Sequence, residues 1–286
     1  MKQYSHFTGP DGASTDFESS KIVILPVPYD RTSTWIKGAD KGPFALLEAS
    51  PQLELYDIDT ACEVYKQGIY TLPPVSVDLS PEEMVKSVES EVKKLLDEGK
   101  FVVLLGGEHS VSIGSARAHA AKYNDLSVLH LDSHADLREE YEASRFNHAC
   151  VAARIKEVAP VVEVGVRSMS AEEKDKLPPE DIFFARDIVG RTGWADEVAS
   201  RLKDNVYVTI DLDVFDPAIM PSTGTPQPGG LDWYQVMSLL EAVARNKNVV
   251  GFDVVELCPN ENNKAPDFLA AKLVYKFLSY VYKDNR

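Results

Sequence analysis

Asp132, His134 and Asp136 alternate in the stretch "LHLDSHADLR" (129–138), where the apolar run "LSVLHL" ends. Acids at the end of a hydrophobic strand are costly unless a partner compensates their charge. Two other stretches carry the same kinds of side chain. "LLGGEHS" (104–110) presents His109 after a glycine pair that allows a sharp turn, and "VTIDLDVFDP" (208–217) offers Asp211, Asp213 and Asp216. Alternate residues of an extended segment share one side, so Asp132, His134 and Asp136 can converge, as can Asp211 and Asp213. Carboxylates and imidazoles gathered in this way repel one another unless cations lie among them. Aspartates with two histidines suit hard-to-borderline divalent metals better than a thiolate site does. They also exceed the three protein groups and one water of a catalytic zinc. Two metals bridged by carboxylates is the simpler solution; manganese fits best, with cobalt, nickel and zinc compatible. Asp216, before Pro217, reads as turn chemistry, and His130 as a hydrogen-bonded histidine within its strand.

The elements that must position these residues are legible as alternating runs. Strand candidates are "KIVILPV" (21–27), "FVVLLGG" (101–107), "LSVLHLD" (126–132), "PVVEVGV" (160–166), "DIFFA" (181–185), "VYVTIDL" (206–212) and "VVGFDVVEL" (249–257), with "QLELYDI" (52–58) a weaker eighth. Helical runs lie between them. Ser80, Pro81 and Glu83 predict a capped start, Val85, Val88, Val92 and Leu95 an apolar stripe, and Gly99 a stop. Asp232 opens a second helix by similar logic, and "DFLAAKLVYKFLSYVY" makes an apolar final one. Near-continuous apolar strands alternating with helices predict an α/β fold: a three-layer α/β/α sandwich around a mostly parallel sheet of about eight strands. No linker interrupts residues 21–286, which read as one domain after a polar arm over 1–20. In such sheets the site lies beyond the carboxyl ends of the strands, where each polar cluster falls.

Composition narrows the class. A chain of 286 residues with 44% hydrophobic and 26% charged residues is ordinary for a soluble globular protein. No apolar run approaches the roughly 20 residues needed to span a bilayer, and the amino terminus lacks a secretory apolar core. The net charge of −15 argues against a nucleic-acid partner, which needs a basic face. Cys62, Cys150 and Cys258 form no CxxC pair and read as reduced thiols, which predicts a cytoplasmic location.

Taken together, "GGEHS", "DSHAD" and "TIDLDVFDPAIMP" resemble, in order, the three signature segments of the ureohydrolase family of arginases and agmatinases. The resemblance runs over nearly the whole chain and includes "VPYDRTSTWIKGADKGPFALLEAS", "TGTPQPGG" and "GFDVVELCP". It implies the arginase-like sandwich and two Mn2+ per chain. His109, Asp132, Asp136 and Asp211 would hold one ion; His134, Asp132, Asp211 and Asp213 would hold the other, with Asp132 and Asp211 bridging. It implies roles for His148 in "FNHAC" and Glu256 near the last strand, and a homo-oligomer, trimer or hexamer. Two departures stand out. Ser133 replaces the usual alanine of D-A-H, with a side chain expected to point away from its neighbours. Glu108 stands where aspartate is frequent.

The chemistry implied is hydrolysis of a guanidinium, a poor electrophile that needs a strong nucleophile at neutral pH. Two metals supply it by lowering the pKa of a water. Asp136 would carry its proton toward the leaving nitrogen, and His148, titrating near working pH, would shuttle protons to solvent. Glu256 would hold the guanidinium by charge-assisted hydrogen bonds, with Asp253 supporting it and Thr225 shaping the pocket. The loop "LREEYEASRFNHA" is short and acidic, with Glu139, Glu140, Tyr141 and Glu142 at the expected mouth. Such a mouth disfavours a carboxylate tail, although Arg138 and Arg145 can pair with its acids. A small cationic guanidine is therefore expected: agmatine first, its aminopropyl-extended form equally suited to the acidic loop, arginine third. From other classes, a one-metal zinc deacylase and a silent scaffold are the alternatives; the complete six-ligand set speaks against both.

Overall fold

Seven of the eight strands form where the apolar runs place them. The computed structural model describes residues 5–14 and 16–283. The strands are β1 (Ile22–Val27), β2 (Ile69–Thr71), β3 (Phe101–Gly106), β4 (Leu126–Leu131), β5 (Val161–Val166), β6 (Ile182–Phe184), β7 (Asn205–Asp211) and β8 (Asn248–Val255). They make one sheet in the order β2-β1-β3-β8-β7-β4-β5-β6, with every pair parallel. Because both faces are covered, strand residues on either side are apolar. Ile22, Val103, Leu129 and Val208 pack with the helices Gly42–Ala49, Trp194–Arg201, Trp233–Asn246 and Ala265–Val281. Val23, Val102, Val128 and Tyr207 pack with Pro81–Asp97, Val111–Lys122 and Val151–Ile155. The result is the three-layer sandwich expected.

The caps read from sequence are present. Ser80 and Glu83 form a reciprocal capping box on Pro81–Asp97, and Asp232 with Gln235 does the same for Trp233–Asn246. Gly99 takes a positive φ of 75° just past the first of these helices.

One expectation is corrected. Residues 52–58 are not a strand; the eighth strand is the short "IYT" of β2. The segment is held by side chains instead: buried Lys276 contacts both carboxylate oxygens of buried Asp57 at 2.9 and 3.0 Å and also binds Asp59. The described part of the polar arm is tied to the domain. Phe7 is fully buried with its N–H on Thr71 Oγ1, and the buried Lys100 ammonium donates to the carbonyls of Phe17, Glu18 and Ser20. Residues 1–4 and 15 of that expectation lie outside the described residues.

The Lys276–Asp57 pair has a measurable consequence. Lys276→Met leaves a buried carboxylate without its cation, which costs about 3–5 kcal/mol. A lower midpoint in urea denaturation is the expected result, and an unchanged midpoint would contradict it.

Among the described residues no helix is long and apolar enough to cross a membrane.

Candidate metal centre

The four central strands β3, β8, β7 and β4 lie side by side, and each delivers a polar residue at its carboxyl end. His109 follows β3, Asp132, His134 and Asp136 follow β4, Asp211 ends β7 with Asp213 just beyond, and Glu256 follows β8. The order of the sheet is thus what gathers residues more than a hundred positions apart.

Local backbone geometry then aims them, and not by strand alternation. The strands stop at Leu131 and Asp211, and each following segment turns back on its own aspartate. Asp132 Oδ1 accepts from the His134 N–H at 2.6 Å, and Asp211 Oδ1 accepts from the Asp213 N–H at 2.7 Å. This is the short-range Asx chemistry that D-x-H and D-x-D allow. The Ser133 N–H holds Asp213 Oδ1 at 3.0 Å. Asp136 and Glu256 have φ of 50° and 66°, a left-handed conformation that costs a non-glycine residue roughly 1–2 kcal/mol. Strain of this kind persists where the surroundings dictate it, and here both residues face the centre. The glycine pair before His109 serves space, not a left-handed turn: a Cβ at Gly107 would lie 2.0 Å from the Tyr29 carbonyl oxygen.

Two clusters result, sharing Asp132. Around His109 Nδ1 stand Asp132 Oδ2 at 3.0 Å, Asp211 Oδ2 at 3.3 Å and Asp136 Oδ2 at 3.4 Å. Around His134 Nδ1 stand Asp213 Oδ2 at 3.0 Å and Asp132 Oδ1 at 3.4 Å. Asp132 therefore turns one oxygen toward each histidine. The groups His109/His130/Asp132/Asp136 and Asp132/His134/Asp213 each bring their ligand atoms within 4.8 Å of one another. His109 Nδ1 and Asp132 Oδ2 are buried and make no hydrogen bond among the described residues. Oxygen and imidazole donors so placed fit a pair of divalent cations.

The clustered acids and imidazoles shift one another's protonation. Burial opposes charge on His109, but Asp132, Asp136 and Asp211 outweigh it and hold the imidazolium well above its ordinary range. Burial likewise opposes charge on His134, yet Asp213 and Asp132 push it up to about 12. Burial, then repulsion from Asp132, raises Asp136 to about 7; burial, then Asp213, raises Asp211 well above the carboxylate range. Metal binding here releases protons, so affinity falls as pH falls.

His109 is also fixed from behind. Thr209 Oγ1 donates to Asp253 Oδ1 at 2.7 Å and so accepts from His109 Nε2–H at 2.9 Å, leaving Nδ1 free to face the carboxylates. Asp253 accepts from the Tyr207 hydroxyl as well, at 2.5 Å. It serves His109, not Glu256 as expected. Glu256 Oε1 accepts from the His109 N–H at 2.7 Å, and burial, then Glu108, raises its carboxyl well above the usual range. Glu108 is itself buried and turned to the Ser110 N–H and hydroxyl, both at 2.8 Å.

Several expectations change at this site. His130 is not hydrogen-bonded: neither ring nitrogen has a partner among the described residues. The Ser133 hydroxyl does not point away but lies 3.0 Å from His134 Nδ1. His148 does not titrate near neutrality, since burial, then the charge on His134, lowers it to about 4. It lines the site with its backbone N–H on Thr32 Oγ1 at 2.9 Å and its ring Nδ1 3.3 Å from the same hydroxyl. Asp216 is turn chemistry as expected, accepting from the N–H groups of Ala218, Gly229 and Gly230.

Space for a ligand comes in two connected parts. An inner cavity of about 20 Å³ lies among His109, His134, Asp136, Asp211, Asp213 and Glu256. It shares Thr34, His134, Asp136, His148 and Thr225 with an outer cavity of about 240 Å³ that adds Arg138, Tyr141 and Glu173. Tyr141 and Thr225 therefore sit where expected. Glu139 and Glu140 do not: Glu139 binds Arg154 at 2.6 Å and Lys176 at 3.1 Å, and exposed Glu140 lines neither cavity. Long side chains beside cations settle on them, which spacing alone does not reveal. Arg145 pairs with Glu157, and Arg138 stacks over Tyr141 at 4.7 Å, 4.0 Å from Glu173.

Sequence reasoning missed Glu173, Thr32 and Arg167. Glu173 is buried in the outer wall, holding the N–H groups of Leu137 and Ser170. Arg167 anchors the ligand turn by donating to the carbonyls of Asp213 and Phe215. Its signal was the lone arginine of "GVRS" at a strand end.

Comparison with known proteins matches this geometry. The model of the arginase family covers residues 20–279. The N(1)-aminopropylagmatine ureohydrolase of Synechocystis sp. is 37% identical, over 96% of this chain and 93% of its own. The agmatinase of Pyrococcus horikoshii is 35% identical, over 92% of each. The crystal structure of the agmatine ureohydrolase of Thermoplasma volcanium superposes with a TM-score of 0.88 at 30% identity, over 99% of this chain and 96% of that one. A parallel sheet that brings histidines and aspartates from three strand ends to one cluster, matched along nearly its full length, belongs to the arginase family, and the chain is a ureohydrolase.

Proposed function

We propose that the chain hydrolyses the guanidinium of a carboxylate-free guanidinoalkylamine, releasing urea and the free amine, with N1-aminopropylagmatine preferred and agmatine second. The observation that carries this is the outer cavity of about 240 Å³, which opens off the ligand cluster and has the buried carboxylate of Glu173 in its wall. A chain longer than agmatine fills more of it, and an ammonium in it meets the carboxylate of Glu173, whose neighbour in the wall, Arg138, is stacked over Tyr141. The relatives named for the aminopropylated substrate support the longer amine, and the agmatinases among them support agmatine.

His109, Asp132, Asp136 and Asp211 would hold one divalent cation, and His134, Asp132, Asp211 and Asp213 the other; manganese suits these donors. The pair, when bound, lowers the pKa of water toward neutrality. This chain's own residues do the rest. Glu256, in the inner cavity, takes the planar guanidinium by charge-assisted hydrogen bonds and sets its carbon toward the ligands. The water oxygen bonds to that carbon, the bond to the alkyl nitrogen breaks, and the departing amine takes up a proton. Asp136, which lines the inner cavity with Glu256, is placed to carry it. His148 lines both cavities at their junction.

The test is urea release by manganese-loaded enzyme from N1-aminopropylagmatine, agmatine and arginine in parallel. The expected order of kcat/KM is the order just written, with arginine at least tenfold below agmatine. Preference for arginine would overturn the carboxylate-free assignment.

A further inference from the structure

One row of the sheet, just beneath the metal ligands, is polar from strand to strand. The register aligns Asp253 of β8 with Thr209 of β7, Thr209 with His130 of β4, and His130 with Glu163 of β5. Aligned residues of neighbouring parallel strands point the same way, on strands about 4.8 Å apart. The four side chains therefore stand side by side on the face covered by Pro81–Asp97 and Val111–Lys122, where Val128, Val161 and Tyr207 also pack. All four residues have zero exposure.

The two halves of the row differ. Asp253 and Thr209 are hydrogen-bonded and hold His109, as described above. His130 and Glu163 leave both ring nitrogens and both carboxylate oxygens without a hydrogen bond among the described residues. Buried polar groups in this condition are rare and destabilise a fold, and apolar side chains of similar size would serve the core better. Their position is what distinguishes them. The His130 ring stacks on His109 with centroids 5.0 Å apart and planes 7° apart, and its Nε2 lies 3.5 Å from Asp132 Oδ2. That oxygen is the one Asp132 turns toward His109.

We propose that His130 and Glu163 are positioning residues for the metal centre: Glu163 fixes the His130 imidazole, which presents Nε2–H to the shared carboxylate of Asp132. Asp132 is then held from below as His109 is held by Thr209 and Asp253, and the polar row is one shelf supporting a ligand from each of two strands. The inference rests on the centre being a metal site.

The experiment compares Glu163→Leu, Glu163→Gln and His130→Phe in the full chain. Three quantities are read: manganese affinity by equilibrium dialysis, the EPR spectrum of the manganese-loaded protein, and the denaturation midpoint of the metal-free protein. Glu163→Leu and His130→Phe are expected to lower manganese affinity by about 10–100-fold, the effect of removing a group that orients a ligand. Their spectra should change, while the metal-free midpoint stays level or rises because an unpartnered polar group has gone. Glu163→Gln, whose amide can still donate to Nδ1, should stay within threefold of the parent. Affinity within threefold in both apolar variants would overturn the proposal, as would a loss in Glu163→Gln as deep as in Glu163→Leu. If the unsubstituted protein binds no manganese, it is the metal-site reading that fails.

Discussion

Asp132→Asn is expected to lose bound manganese and urea release together, with activity down on the order of a thousandfold or more, the scale of a principal electrostatic contribution to catalysis. Asparagine keeps the Oδ1 that accepts from the His134 N–H, so the turn after β4 survives the change. What it removes is charge at the one carboxylate with an oxygen toward each histidine. His109 and His134 then keep their remaining acids, but neither cluster has the shared anion that joins it to the other. Metal content by mass spectrometry and urea release, measured on the same preparation, check this. An enzyme that kept two metals and turned over within tenfold of the parent would contradict it.

Glu256→Gln should separate substrate capture from metal binding. Its Oε1 accepts from the His109 N–H, a bond the glutamine oxygen preserves, so His109 stays where it is. The change removes the negative charge that would face the guanidinium in a site with little access to water. Truncating one partner of a buried charge pair costs about 2–5 kcal/mol, roughly 30- to 3000-fold. Manganese content is expected to stay at the parent level while kcat/KM for the guanidine falls by about that factor. A fall of less than threefold would show that Glu256 does not hold the guanidinium.

Most of the fold was legible because a parallel sheet covered on both faces writes its strands as continuous apolar runs, and capped helices announce their own starts. Residues 52–58 misled because what fixes them is a buried Lys276–Asp57 pair formed across more than two hundred residues, which no local pattern records. The ligands were legible because D-x-H and D-x-D are local motifs, although what aims them is a backbone turn and two left-handed residues instead of strand alternation. The substrate wall was not legible. Glu139 and Glu140 stood next to the motif in sequence, yet Arg154 and Lys176 draw Glu139 aside, and Glu173, from a later loop, takes the place expected of them. Charge in a loop can be counted from sequence; its direction depends on which cations the fold brings near.

The most direct test of the central claim, two metals among six side chains of three strand ends, is an anomalous difference map from manganese-loaded crystals of this protein. Two peaks are predicted, one among His109, Asp132, Asp136 and Asp211 and one among His134, Asp132, Asp211 and Asp213. A single peak, or two that do not share Asp132, would contradict the account.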